Sequence, residues 1–168
     1  MQPYLITYND VFELTRKMSM HIEKDKIDSF IREAENMDLK PVMGDPLLIA
    51  VRSNPSAYAA LLNGGVYVTA NGEEKAFEGL KSALSYFTYA RFVRNNDGNV
   101  TRSGFMVKDN EHSARASEQE KERAWNDVRA IGERYLRECM EFVKVDEQCR
   151  SCCGEPKRKE GKYKVLGD

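Results

Sequence analysis

From Ser117 to Val143 one segment constrains the fold more than any other, because Trp125, Val128, Ile131, Tyr135, Cys139 and Phe142 recur every three or four residues. That spacing follows the 3.6-residue turn of an α-helix, so a single apolar stripe faces a core while Glu, Lys and Arg cover the opposite side. Ser117 followed by Glu120 is a capping-box signature and fixes where this helix begins. The stripe is scaffold, and no catalytic motif accompanies it.

Shorter elements precede it. Thr7 or Asn9 caps a first helix, with Asp10 and Glu13 near its positive end and Val11, Phe12 and Leu14 as apolar contacts. Lys24 or Asp25 opens a second helix, in which Ile27, Phe30, Ile31, Ala34 and Met37 form an inner face that ends before Pro41. Asp45-Pro46 reads as an N-cap with proline at the first helical position, and Asn54-Pro55 repeats the signal before Ser56 to Leu62, which Gly64-Gly65 stops. Val66 to Thr69 and Glu74 to Phe77 flank Asn71-Gly72, the strongest short-range hairpin signal. Leu80 to Val93 is apolar around most of its circumference and is expected to lie centrally. After the turn-forming run Asn95 to Asn99, Val100 to Val107 reads as a strand or an extended arm. The expected fold is mainly α: a helical bundle with a small β-hairpin and an extended arm.

The 168 residues suit one domain that needs neither disulfides nor metal to hold a core. Charged residues make up 32% of the chain but nearly cancel at a net charge of −1, so no global field draws it to nucleic acid or to an anionic membrane. The first ten residues lack the basic and apolar regions of a signal peptide, and no run approaches the roughly 20 apolar residues of a membrane span. A cytosolic protein with reduced cysteines is expected. From Asp146 the composition turns to Gly, Pro and Lys, which divides the chain into a helical domain, 1–145, and a Cys-containing basic flexible tail, 146–168.

Candidate chemistry is sparse. Cys149-x-x-Cys152-Cys153 has the spacing of half a zinc site, but the second half is missing, and His21 and His112 stand in no ligand-spaced pair. Solvent-exposed thiols are the favoured reading over zinc. A redox pair is disfavoured because such a pair opens a helix after a strand. His112 beside Asp109, Glu111 and Ser113 lacks the rigid elbow a nucleophile needs, which favours a solvated loop. The tail's Lys157, Arg158, Lys159, Lys162 and Lys164, with Tyr163, could meet phosphates, yet Glu155, Glu160 and Asp168 dilute them. Tyr86, Phe87, Tyr89 and Phe92 read as core, with some share in a subunit interface. No catalytic, cofactor-binding or metal residue is assigned.

The succession of Leu5 to Val11, Ala83 to Arg91, Thr101 to Lys108 and Ala116 to Lys121 before a Tyr135-Leu136 helix resembles the head-to-tail connector (adaptor) proteins of tailed bacteriophages. The likeness is nearest to the neck-ring proteins of crAss-like phages and related gut Bacteroidales phages, and runs from Leu5 to Val143. It implies a non-enzymatic virion protein, assembled in the host cytoplasm, that forms a ring of about twelve subunits. Such a ring docks under the portal after DNA packaging, presents its other face to tail or further neck proteins, and can contact packaged DNA. On that reading Val100 to Val107 is the candidate subunit arm, with Phe105 and Val107 as anchors, and the hairpin residues Tyr67 and Asn71 face a neighbour or the portal. The alternative is a small regulatory protein that holds zinc or nucleic acid with its Cys-rich basic tail.

Overall fold

The computed structural model describes residues 4–18, 22–95, 98–101, 104–107, 117–146 and 149, with backbone alone for 98–101 and 104–107. The elements are α1 (Tyr8–Leu14), α2 (Lys24–Ala34), a π-helical turn (Glu35–Leu39), α3 (Lys40–Met43), α4 (Asp45–Ser53), α5 (Ala59–Asn63), β1 (Gly65–Val68), β2 (Glu74–Phe77), α6 (Leu80–Asn95), β3 (Gly98–Thr101), β4 (Gly104–Val107) and α7 (Glu118–Val145). The chain is mainly helical with a small antiparallel hairpin, as its periodicities predict.

Helix α6 lies at the centre, against α1, α2 and α5 and along much of α7. Its all-round apolarity is explained by that position: Leu80, Ala83, Leu84, Phe87, Ala90 and Phe92 are all buried. Thr88 is buried too, and its hydroxyl donates to the Leu84 carbonyl at 2.8 Å, which removes the cost of an unpaired polar group. Helix α7 begins at the expected capping box, where the Ser117 hydroxyl accepts from the Glu120 amide and the Glu120 carboxylate accepts from the Ser117 amide. Its buried face is Val128, Gly132, Leu136, Cys139, Phe142 and Val143, with Trp125, Ile131 and Tyr135 on the margin. The face is rotated slightly from the predicted stripe because Gly132 marks the closest approach to α6. A Cβ there would stand 3.2 Å from the Phe87 ring and 3.3 Å from the Ala83 carbonyl oxygen.

Three local expectations change. Leu14, expected as an apolar contact of α1, is exposed, while Val11 is buried and Thr7 makes the cap. Helical geometry does not stop before Pro41: α2 ends at Ala34, but the chain runs on through the π-helical turn into α3, and Lys40 keeps right-handed helical geometry. The Lys40 amide bonds to Glu35 O, five residues back, so the α ladder is already interrupted where a proline lacking an N–H would break it. The extra residue rotates the face: Glu35, Asp38, Leu39 and Met43 turn inward, while Met37, assigned to the inner face by spacing, is 67% exposed. Finally, Gly44 and not Asp45 is the residue preceding α4, and Asp45 forms an ion pair with Lys40 at 3.0 Å.

The predicted hairpin forms with Val66 opposite Ala76 and Val68 opposite Glu74. Its two ends meet at Gly64 and Gly79, both at positive φ, where a Cβ on either residue would overlap backbone atoms of the other or of the residues just before it. Only glycine permits so close an entry and exit. Val100 to Val107 is a correction of a different kind: it is not one arm but two antiparallel strands, with Val100 opposite Phe105 and Gly98 opposite Val107.

Candidate functional site

Among the described residues, two regions of surface combine defined geometry with side chains able to take a partner. The first is the β1–β2 hairpin. Strand alternation sends Tyr67 inward, where its ring meets Phe77 at 5.7 Å and Phe142 at 5.4 Å, both edge-on, while Phe77 and Phe142 stack at 4.7 Å. Burial raises the Tyr67 phenol above its ordinary pKa, against the opposing pull of Lys75. Lys75 pairs with Glu141 of α7 at 3.0 Å, and this hydrogen bond holds the carboxyl below and the ammonium above their usual values. The hairpin is therefore fastened to α7 through one face. Its other face carries Val66 and Val68, 69% and 54% exposed, and its tip carries Asn71, Glu73 and Glu74, all exposed.

Tyr67 is thus an internal anchor of the hairpin, whereas Asn71 stands at the exposed tip. The outward apolar residues of β1 are Val66 and Val68, which period-two alternation with Tyr67 predicts once one face is known to be covered. Phe105 and Val107 lie on β4, and their backbones pair with Val100 and Gly98. The chief contacts of β3 and β4 are with each other.

The second region is a groove of 530 Å³ between the C-terminal half of α6 and the N-terminal half of α7. Its floor is Phe87 and Ala90, and its walls carry Arg91, Arg94, Trp125 and Arg129. The π-helical turn supplies the organising charge: Asp38 accepts from Arg91 Nε at 3.0 Å and Nη2 at 2.8 Å on one oxygen, and stands 3.2 Å from Arg129 Nη1 on the other. Glu33 and Glu133 extend the series, giving alternating charge from Glu33 through Arg91, Asp38 and Arg129 to Glu133. Arg94 is outside it. Its guanidinium lies 4.6 Å from the centre of the Trp125 ring, with Arg129 at 5.4 Å, and it forms no ion pair with a described residue. One turn back along the chain, Glu35 is fully buried and takes Arg52 Nε at 2.6 Å together with Arg52 Nη2 and the Leu5 amide.

Of this groove the sequence marks only Trp125 and Phe87, both as core side chains and neither as part of a site. Arg91 with Arg94, and Trp125 with Arg129, do stand at helical spacing on their own helices. Glu35 and Asp38 share a helix face by their i, i+3 spacing, but nothing in that spacing reveals the arginines from other elements that pair with them.

Cysteine 149, expected in a solvated tail, is 2% exposed and belongs to the apolar core, with its amide donating to the Asp146 carboxylate at 2.9 Å. Its burial removes it from the expected cluster of exposed thiols. Cys152, Cys153, His21, His112 and the basic residues after Cys149 lie outside the described residues. Among the described residues no group of three or more His, Cys, Asp or Glu could hold a metal ion, and no helix is long and apolar enough to cross a membrane. No curated protein and no solved structure matches the chain. Residues 39–153 match the model of a family of unknown function, DUF6712, and the chain belongs to that family.

Proposed function

We propose that this member of DUF6712 is a structural protein of the phage neck: a ring-forming, non-enzymatic subunit that joins the portal to the tail. The observation that carries the reading is a helical body bearing two separate two-stranded hairpins, whose outer edges pair with no further strand among the described residues. A two-stranded hairpin is marginal in water by itself, and its open edges accept a neighbouring strand. Repeated subunits can therefore complete what one chain leaves open. The exposed Val66 and Val68 suit the same use, since apolar groups on a hairpin gain by burial against a second subunit. In this reading β3–β4, with Phe105 and Val107, reaches a neighbouring subunit, and β1–β2 faces a neighbour or the portal.

Electron microscopy of the purified protein, alone and mixed with the portal protein of the same virus, tests this directly. A ring stacked coaxially on the portal is the expected outcome. A monomer that leaves the portal undecorated at micromolar concentration rules the reading out.

A further inference from the structure

The groove at Arg94 and the tip of the β1–β2 hairpin are complementary in charge. Arg94 is exposed, placed over the Trp125 ring and without an acidic partner among the described residues, while the three neighbouring carboxylates are committed to Arg91 and Arg129. At the hairpin tip Glu73 and Glu74 are exposed and likewise form no ion pair with a described residue. Backbone bonds hold the tip in shape: the Thr69 amide donates to the Glu73 carbonyl at 2.8 Å and the Glu73 amide to the Thr69 hydroxyl at 3.1 Å.

The two features do not meet within one chain. The hairpin is fastened at Glu141 and Phe142, the groove opens at Trp125 and Arg129, and the interval from Arg129 to Glu141 is about 18 Å of helical rise. Complementary patches at different levels of one body pair between copies, head to tail, and such a heterologous contact closes into a ring when its rotation permits.

We infer that the acidic tip of the β1–β2 hairpin, Glu73 and Glu74, docks in the Arg94–Trp125 groove of the next copy of this chain. This contact deepens the ring reading above and rests on it. A carboxylate is the anion the groove already recognises, because Asp38 is gripped there by two arginines. Duplex DNA is a poorer occupant: its closely spaced phosphates would fall beside Glu33, Asp38 and Glu133 as well as Arg94. Contact with the Trp125 ring limits the freedom of the Arg94 guanidinium, so less of it remains to be lost when a carboxylate arrives.

Two full-length variants test the contact. Arg94→Glu disables the groove and leaves the tip; Glu73→Lys with Glu74→Lys disables the tip and leaves the groove. Each alone should associate at least about tenfold more weakly than the parent by analytical ultracentrifugation. Combining all three substitutions in one chain should restore assembly, because the charges are exchanged and not removed. Trp125 is the one tryptophan of the chain, so its fluorescence should change on assembly and report the groove itself. Arg94→Gln, with its circular dichroism compared with the parent, separates loss of contact from loss of fold. If the parent forms rings on the portal and the charge-reversed variants do so equally well, the contact is wrong while the ring stands. A parent that stays monomeric with and without portal overturns both.

Discussion

The two ends of α7 are held to the rest of the molecule by opposite kinds of force. At its N-terminal half, Arg129 joins the charged network around Asp38, with Arg91 and the π-helical turn completing it. Toward its C-terminus, Phe142 joins Tyr67 and Phe77 in an aromatic cluster beside Cys139. The aromatic end gains mainly by area removed from water, which is non-directional and tolerant of small shifts. At the charged end, each guanidinium must meet its carboxylate at bonding distance, since buried charge without a partner is costly. The irregular turn lies at the charged end, where the register slip brings Leu39 and Met43 inward beside Glu35 and Asp38, whereas the aromatic end is assembled from regular helix and strand.

The largest effect expected is on the charged end. Asp38→Ala strands Arg91 and Arg129 and should lower stability by about 3 kcal/mol or more in urea denaturation. Asp38→Asn should lose less, because one oxygen still accepts. Phe142→Ala at the aromatic end should cost about 3 kcal/mol and release the hairpin, which hydrogen exchange at β1 and β2 would register. If Phe142→Ala proved the more damaging by a wide margin, the charged end would be a surface decoration and the contrast would fail.

Alkaline titration sharpens the comparison next. Burial pushes the Cys139 thiol up to about 12, against 9.0 for an unburied thiol. The unfolded chain ionises first, so this contribution is intact below about pH 9 and declines toward pH 12, by up to about 1.4 kcal/mol per pH unit. Cys139→Ala should remove that part of the slope. The smaller effect of Ser85→Ala has the opposite sign: the Ser85 hydroxyl is buried with no hydrogen-bond partner among the described residues, so removing it should stabilise the protein by about 1 kcal/mol. Last, Lys75→Met should leave the unfolding midpoint unchanged, because the pair with Glu141 is exposed to solvent on both sides.

Regular elements were legible from the chain because their signals are local. The Ser117–Glu120 box, the Asn71-Gly72 turn and the apolar girth of Leu80 to Val93 each act through residues within a few positions of one another. Val100 to Val107 was legible as extended backbone but not as a hairpin. A strand pattern gives no account of its partner, and here the partner is the segment itself, with Gly98 opposite Val107.

The candidate surfaces divide in the same way. Asn71 was visible as a tip residue, whereas Tyr67 was assigned to a surface although its ring belongs to the cluster with Phe142. Arg94, Trp125 and Asp38 carry no motif because they come from three separate elements.

By itself, then, the sequence determined which segments are helical, where α1 and α7 begin and where the chain turns at Asn71-Gly72. Periodicity and capping depend on neighbours in the chain. Only the tertiary structure decided that Leu39 and Met43 lie inside, that Met37 lies outside, that Cys149 joins the core and that Arg94 has no acidic partner among the described residues. Each of those outcomes depends on the accumulated rotation of a helix past a π-helical turn, or on which side chains another element brings within bonding distance. A one-residue slip changes both, and no local signal in this chain announces it.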